Sequence, residues 1–586
     1  MQDNAKLEKQ KIYKAKRENL VKERLLNKRM YKFYAIYVVL LLFVWYFMLP
    51  TINLRTPGFY FFLALFLTLP VTIVLIILSA KNKGKKSNRK YKKIQIYQNR
   101  LNFVEVSKED YYSSGSVCIK SAIYCLVGAI ALVIIFGLTG LHIFNAKRYA
   151  AQLPIEMKQA TDLSAEFDYE SGEVILPNID KELAFKLAQA KLEEYGAQYS
   201  IDSQIFTIIS VERGGKTELI RVTPLEYASE FVALSRMKKG TIGYIEVNVV
   251  TKEANLVKFD DNDGLKYMPS AILNYDLDRH VYFSYPTAMY SEKHFEIDNE
   301  GNPYWVIPTY KKEIGVFNGA TPSYILIVNP ITGEINKYER GSEPEWTQRC
   351  VDESVVVQQA NNALKYKNGY FNTLFAKKEV FNLSDGYNYI NKNGETYYVS
   401  CITSPNENDQ TSIGFIIINL KTKEAKRYIA PGITEMRARE IAMYDERVKA
   451  QQLEATWPIL ITYNDVPTYF VVLKNDVQSQ RTVLINVNTG SYVAMEENLT
   501  KAIASYESLL LNAGSIEKQD KTATGTVTNI RDTGSSIEFM IDTVADYYFT
   551  VDVDLNLTAR FLKVGDTVDI EYKDNLTYGI VTKITK

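Results

Sequence analysis

The sequence predicts a membrane protein: three transmembrane helices, then an α+β ectodomain of repeated helix/antiparallel-sheet units, then a C-terminal small β-barrel. Three observations predict it. Three long apolar runs occupy the first quarter of the 586 residues, one turn pattern recurs four times in the middle, and five strand-like segments crowd into 522–586.

The apolar runs are 33–49, 58–80 and 119–145. Each is long, or nearly long enough, to cross about 30 Å of hydrocarbon at a rise of about 1.5 Å per residue. Flanking charge sets their direction. Residues 1–32 hold eleven Lys/Arg against four Asp/Glu, and 81–100 hold nine Lys/Arg and no acid. Basic residues beside spans stay in the cytoplasm. Segments 1–32 and 81–118 are therefore both expected inside, with 33–80 forming a hairpin around the outer loop 51–57 and everything after Lys147 outside. The long basic flank, and the lack of a small-x-small site at 45–50, favour a retained first span over a cleaved signal. Pro70 is expected to kink the second helix. No acidic residue lies in any run, which speaks against transport, since ion pathways use intramembrane charge.

The near-neutral total hides a split molecule. Residues 1–118 carry twenty-two Lys/Arg against seven Asp/Glu, a net +15, so with a whole-chain charge of +1 the remainder carries −14. The basic part suits the anionic inner leaflet of a lipid bilayer. The acidic part repels nucleic acid, which is excluded as a partner.

The middle region, 150–511, is built on a turn. Segments 244–253, 324–334, 415–424 and 483–491 each read as an apolar run, then Asn-x-x-Thr-(Gly/Lys)-(Glu/Ser), then a short return strand. The turn residues are Asn248 and Thr251; Asn329, Thr332 and Gly333; Asn419 and Thr422; and Asn486, Thr489 and Gly490. Asn and Thr side chains bond the backbone of a tight turn, and Gly supplies positive φ. A further strand precedes three of these hairpins, at 304–310, 397–402 and 469–473, each after a polar turn. Apolar periodicity places helices at 181–195, 353–365, 435–450 and 499–511. The implied unit is a helix packed on a small antiparallel sheet.

This pattern resembles the PepSY-like fold, in which a helix precedes a hairpin whose turn reads apolar-Asp/Asn-x-x-Thr-Gly-Glu. The match runs from about residue 154 to 511. Asn stands where that family usually has Asp, Lys replaces Gly at 252 and 423, and Ser replaces Glu at 491. The resemblance implies non-catalytic, extracytoplasmic binding, or restraint of a partner such as a protease or wall enzyme. Read alone, Asn-x-x-Thr-Gly makes a good hairpin whatever its ancestry.

After a polar linker, strands are expected at 524–530, 536–541, 547–553, 567–572 and 578–584, and they look like an OB or SH3-like barrel. Residues 522–586 hold six basic and ten acidic side chains. That balance argues for protein contact or capping rather than nucleic-acid binding.

Catalytic chemistry is sparse. The chain has three histidines, His142, His280 and His294, and no His-Glu-x-x-His, Cys-x-x-Cys or Gly-x-Ser-x-Gly. No catalytic, metal or cofactor residue is therefore assigned; paired carboxylates stay open. Asp260–Gly264 departs from a calcium loop, with Phe259 and Ser270 where acids are needed, and is expected to be an exposed turn. Cys118 and Cys125 share a helical face and stay reduced. Cys350 and Cys401 both lie outside and are disulfide candidates, a matter their separation decides.

Abundant Tyr, Lys, Asn and Ile fit an AT-rich bacterial genome and a Gram-positive type of cell. The expectation is a multi-pass protein of the cell membrane, N-terminus cytoplasmic and C-terminal body extracytoplasmic. It would be a non-catalytic binding, scaffold or regulatory protein of the envelope, with an envelope or membrane protein, or a second copy, as partner. The alternatives are a transmembrane sensor of an envelope peptide or wall fragment, and a carboxylate-dependent cell-wall hydrolase.

Overall fold

The computed structural model describes residues 32, 35–68, 70–72 and 114–586, apart from 261–262, 406–410, 476–478, 514, 517–519, 535, 545–546, 554–555 and 575–577. The expected cytoplasmic segments lie outside the described residues, except Lys32 and the helical backbone from Ser114.

One described helix has the length and composition to cross a membrane, Ile119–Leu138, with a mean hydropathy of 2.5 and only 11% of its apolar window buried. The first two runs form the shorter apolar helices Ala35–Met48 and Pro57–Thr72. Of the three expected spans, then, a single span-length helix stands among the described residues. The first ends at Leu49, which turns into the left-handed region at φ 44°, and the second is described only to Thr72.

The third run also departs from expectation. It is not one helix over 119–145: it breaks at 139–141, and a separate helix, His142–Ala150, turns away. The His142 ring stacks on Tyr149 at 4.1 Å and on Tyr366 at 4.9 Å. Thr139 Oγ1 donates to Phe136 O at 2.6 Å, and a side chain at Gly140 would collide with Asn318. The tip of the hairpin at Asn318 thus presses where the apolar pattern alone would continue the helix.

Four antiparallel ladders follow, each preceded by a helix and each with its strands side by side in chain order. The first joins Thr207–Arg213, Lys216–Pro224, Gly243–Asn248 and Ala254–Lys258, after helix Lys181–Glu193. The second joins His294–Ile297, Pro303–Ile314, Asn318–Val328 and Ile335–Tyr338, after the short helix Leu277–Ser284, which the apolar pattern did not announce. The third joins Asn388–Lys392, Glu395–Thr403, Gly414–Asn419 and Ala425–Ile429, after helix Glu353–Tyr366. Ile155–Gln159 extends it as a parallel edge. The fourth joins Ile459–Tyr463, Val466–Lys474, Ser479–Asn486 and Val493–Glu496. The helix expected at 435–450 before it is two, Glu435–Ala442 and Glu446–Ala450, because Asp445 starts a new helix by accepting from Arg447 N at 2.8 Å.

The central strands, such as Gly243–Asn248, Gly414–Asn419 and Val466–Lys474, are buried on both faces and read as near-continuous apolar runs. Ile208 and Leu219 face helix Lys181–Glu193 through Leu183 and Ala184. Their neighbours Ile209 and Ile220 face the second sheet through Phe295 and Trp305. The third and fourth sheets share a core around Phe415, Tyr428, Tyr469 and Phe470, while helix Glu353–Tyr366 covers the third sheet's other face with Val356 and Ala360.

The C-terminal segment is a closed five-stranded barrel of Asp520–Asp532, Ser536–Ile541, Tyr548–Asp552, Tyr578–Thr585 and Thr567–Asp574, in that order around the wall. Tyr548–Asp552 and Tyr578–Thr585 pair in parallel. Val527, Phe539, Phe549, Val551 and Ile570 fill it; Tyr548 points outward and stacks on Tyr578 at 5.3 Å.

Candidate functional site

The recurring turns have one hydrogen-bond scheme. Asn248 Oδ1 accepts from Val250 N at 3.0 Å and Thr251 N at 2.9 Å. Asn329 Oδ1 accepts from Ile331 N at 2.9 Å and Thr332 N at 3.0 Å, and Asn419 Oδ1 from Lys421 N at 2.8 Å and Thr422 N at 2.9 Å. Asn486 Oδ1 accepts from Thr489 N at 3.1 Å. Each Asn carbonyl then accepts from the residue four ahead, and that residue is left-handed: Lys252 at φ 69°, Gly333 at 79°, Lys423 at 71° and Gly490 at 68°. The loop needs that conformation, so the two lysines bear a strain the glycines avoid, on the order of 1 kcal/mol. These turns are architectural, and each contacts different neighbours. Gly333 O meets His280 Nε2 at 2.6 Å, whereas Lys423 Nζ donates to Gln152 O at 2.9 Å.

The disulfide candidates do not pair. Cys350 and Cys401 are both free thiols, held in separate cores. Cys350 packs with Val306, Ile325 and Ile327, and Cys401 sits between the third and fourth sheets, its Sγ 2.9 Å from Tyr469 Oη. Burial pushes the Cys350 thiol up to about 12 and raises that of Cys401 as well.

The site the turns do not mark lies where all four helix–sheet units meet. A cavity of about 460 Å³ is lined by Lys181, Phe206 and Arg221 of the first unit, and by Glu292 and His294 of the second. Arg349, Glu353, Tyr387 and Tyr389 come from the third, and Trp457 and Phe470 from the fourth. Local structure places each. Asp180 caps the helix that begins at Lys181, accepting from Leu183 N at 3.0 Å. Arg221 lies mid-strand between Ile220 and Val222. Arg349 precedes helix Glu353–Tyr366, whose N-terminus Asp352 caps.

The acidic side chains around the cavity are already engaged. Glu353 accepts from Arg349 Nη1 at 3.0 Å and from Tyr389 Oη at 2.9 Å, with the guanidinium 4.2 Å from the Tyr389 ring centre. Buried Glu296 accepts from Gln348 N at 2.9 Å and Arg349 N at 3.0 Å, and its carboxyl is raised by desolvation. Glu292 accepts from Glu353 N at 3.0 Å and lies 3.3 Å from His294 Nε2. Burial works to raise Glu292, but His294 and the backbone N–H groups hold it below its usual value. Asp180 pairs with Lys474 at 2.7 Å.

Two cations remain. Arg221 Nη1 donates to Phe206 O at 3.1 Å, but its buried Nε meets no acceptor. Neither Arg221 nor Lys181 has an ion pair among the described residues. Burial first, and then the nearby Arg349 charge, bring Arg221 down to about 10; it stays charged at neutral pH. Burial, followed by the Arg221 charge, lowers Lys181. A second cleft, of about 650 Å³, is lined by exposed Glu170, Lys252 and Glu497 and by Arg481, half-buried like Arg221, but no buried side-chain nitrogen in its lining lacks an acceptor. Among the described residues no group of His, Cys, Asp and Glu could hold a metal ion. The Asp260–Gly264 segment lies partly outside them.

Sequence reasoning missed this site. Arg221 alternates with apolar residues as any solvent-facing strand residue would. The available signal was that an arginine interrupts a strand, Leu219–Val222, whose neighbours on both faces are apolar.

No family model matches the chain, and no curated protein matches it. Among solved structures, the crystal structure of the tetrameric p202 HIN2 is 14% identical, covering 22% of this chain and 84% of that one at a TM-score of 0.09. That likeness carries no argument.

Proposed function

We propose that this chain is a membrane-anchored, extracytoplasmic binding protein of a bacterial cell envelope, acting without catalysis. The observation that carries the reading is the cavity at the meeting of four helix–sheet units, enclosed enough to hold a small molecule and lined by aromatic rings around two cations without acidic partners. Ligand sites favour such junctions and such linings. Its one histidine, His294, is turned to Glu292, which orders charge rather than activating a nucleophile.

The three-span topology is part of the proposal, with 33–49 and 58–80 as a hairpin, 119–145 as the exit span and the N-terminus cytoplasmic. Contacts between the hairpin loop and the outer body support it. Ile52 N donates to Pro286 O at 2.8 Å, Asn53 Nδ2 to Thr287 O at 3.0 Å and Trp45 Nε1 to Tyr282 Oη at 2.9 Å. The loop between the first two helices therefore lies on the side to which the third delivers the chain. We also read the four helix–sheet units as copies of one PepSY-like unit, supported by their common turn scheme, and the barrel as OB-like, supported by its strand order.

Native mass spectrometry of the full chain, purified in detergent from its own cells, tests the binding reading. A small-molecule adduct is expected, and Gln204→Trp, which sets an indole at an exposed point of the cavity lining, should remove it. An adduct-free spectrum, or one unchanged by Gln204→Trp, would refute the reading.

One contact favours the sensor alternative. The tip of the hairpin Pro303–Ile314/Asn318–Val328 sets Phe317 against Tyr60 and Phe136 of the apolar helices, with ring centres 5.6 and 6.0 Å away. A movement of the second sheet would thereby reach the membrane helices directly.

A further inference from the structure

We propose that the junction cavity binds a small organic monoanion, a carboxylate or phosphodiester carried on an aromatic or aliphatic body, with Arg221 and Lys181 as its charge partners. This rests on the binding reading above and names the ligand class.

Neither cation has an acidic partner within ion-pair distance among the described residues. Burying charge is costly unless it is paired and hydrogen-bonded. Arg221 is half-buried and Lys181 exposed, and the acids around them are engaged elsewhere: Asp180 with Lys474, Glu353 with Arg349, Glu292 with His294, Glu296 with two backbone N–H groups, and Asp202, whose charge reaches Lys181, with Gln204 N. Arg221 is left with one of its guanidinium nitrogens on Phe206 O. Its Nε is buried with no acceptor, and no partner is recorded for Nη2. The Nε–Nη2 edge is the planar fork that matches two oxygens of a carboxylate or phosphate. A neutral ligand would fill the space and leave that fork unsatisfied; an anion supplies both acceptors.

The rest of the lining limits the anion. Tyr387, Tyr389, Trp457, Phe206 and Phe470 offer ring faces and edges to an apolar body. Glu292 and Glu353 bound the same space, so a second negative charge would meet carboxylates. A polyphosphate or nucleic acid is thus disfavoured, as is anything much larger than a cavity of about 460 Å³ admits.

Isothermal titration of the full chain in detergent, with three matched probes, tests this. The probes are N-acetyl-L-phenylalanine, the singly charged diester methyl phenyl phosphate and the neutral N-acetyl-L-phenylalanine amide. At least one anion should bind ten or more times tighter than the amide, and weaken as salt rises. Whether the carboxylate or the phosphate is the tighter identifies the group. Arg221→Met should cost that anion at least tenfold in affinity, and Arg221→Lys less, since it keeps the charge but loses the fork. Lys181→Met, at an exposed helix start, should cost several-fold and keeps the test alive if the Arg221 variants do not fold. Equal binding of amide and anions, or indifference to these substitutions, overturns the inference while the binding reading stands. If no probe binds, the inference falls. If the native adduct is absent as well, the binding reading falls with it.

Discussion

Aspartate in place of the turn asparagines should give opposite results at positions whose loops look alike. At Asn248 the side-chain oxygen accepts two backbone N–H groups, from Val250 and Thr251, and no partner is recorded for the amide nitrogen. A carboxylate there keeps both bonds and makes them charge-assisted, so Asn248→Asp should be neutral or stabilising by up to about 1 kcal/mol. At Asn419 the oxygen accepts from Lys421 and Thr422 in the same way, but Nδ2 donates to Glu395 Oε2 at 2.7 Å. Asn419→Asp would set two carboxylates in contact. Unit charges about 4 Å apart repel by about 4 kcal/mol at an effective dielectric of about 20. Side-chain movement and uptake of a shared proton reduce this, leaving a net loss on the order of 3 kcal/mol. The assay is amide hydrogen exchange in the full chain at residues 250–253 and 421–424, where local opening is read directly. Protection at 421–424 should fall roughly a hundredfold in Asn419→Asp, since about 1.4 kcal/mol is tenfold. Protection at 250–253 should hold or rise in Asn248→Asp. Equal losses at both turns, or none at 421–424, would refute the account of why Asn stands at 419.

Other outcomes follow from buried groups and contacts. Burial pushes Glu226 up to about 7, although it accepts from Ser270 N at 3.0 Å. The folded state therefore holds this proton more tightly than the unfolded chain. Stability should be greatest below about pH 4.5 and decline as pH rises towards 7, by a few kcal/mol in all, and Glu226→Gln should flatten that part of the melting-temperature profile. Cys350 and Cys401 should resist maleimide in the native chain at pH 7 and react on denaturation, with no mobility change on reduction. Lys252→Gly removes left-handed strain at φ 69° and should slow exchange at that turn by several-fold, worth up to about 1 kcal/mol. Phe317→Ala should raise exchange at 315–317 and leave the barrel amides unchanged, since its ring touches Tyr60 and Phe136.

The barrel and the turns were legible because their causes are local. Alternating residues in 536–541 and 567–572 mark strands with one face inward, and Asn-x-x-Thr bonds its own backbone within four residues. The same locality explains the failures. Hydropathy extends the third helix through residue 145, but Gly140 lies under Asn318 from a hairpin nearly 180 residues later, and the chain turns there. One disulfide was conceivable from compartment alone, whereas two cores keep Cys350 and Cys401 apart.

From its own residues, then, the chain determined where most of its strands and its recurring turns form, since periodicity and turn chemistry act over a few positions. Only the tertiary structure decided which charges keep a partner. Arg221 and Lys181 are forty residues apart, and the residues that enclose them run from Pro177 to Val472. Whether a cation is neutralised depends on neighbours brought together by packing of the four sheets, and no spacing along the chain encodes that.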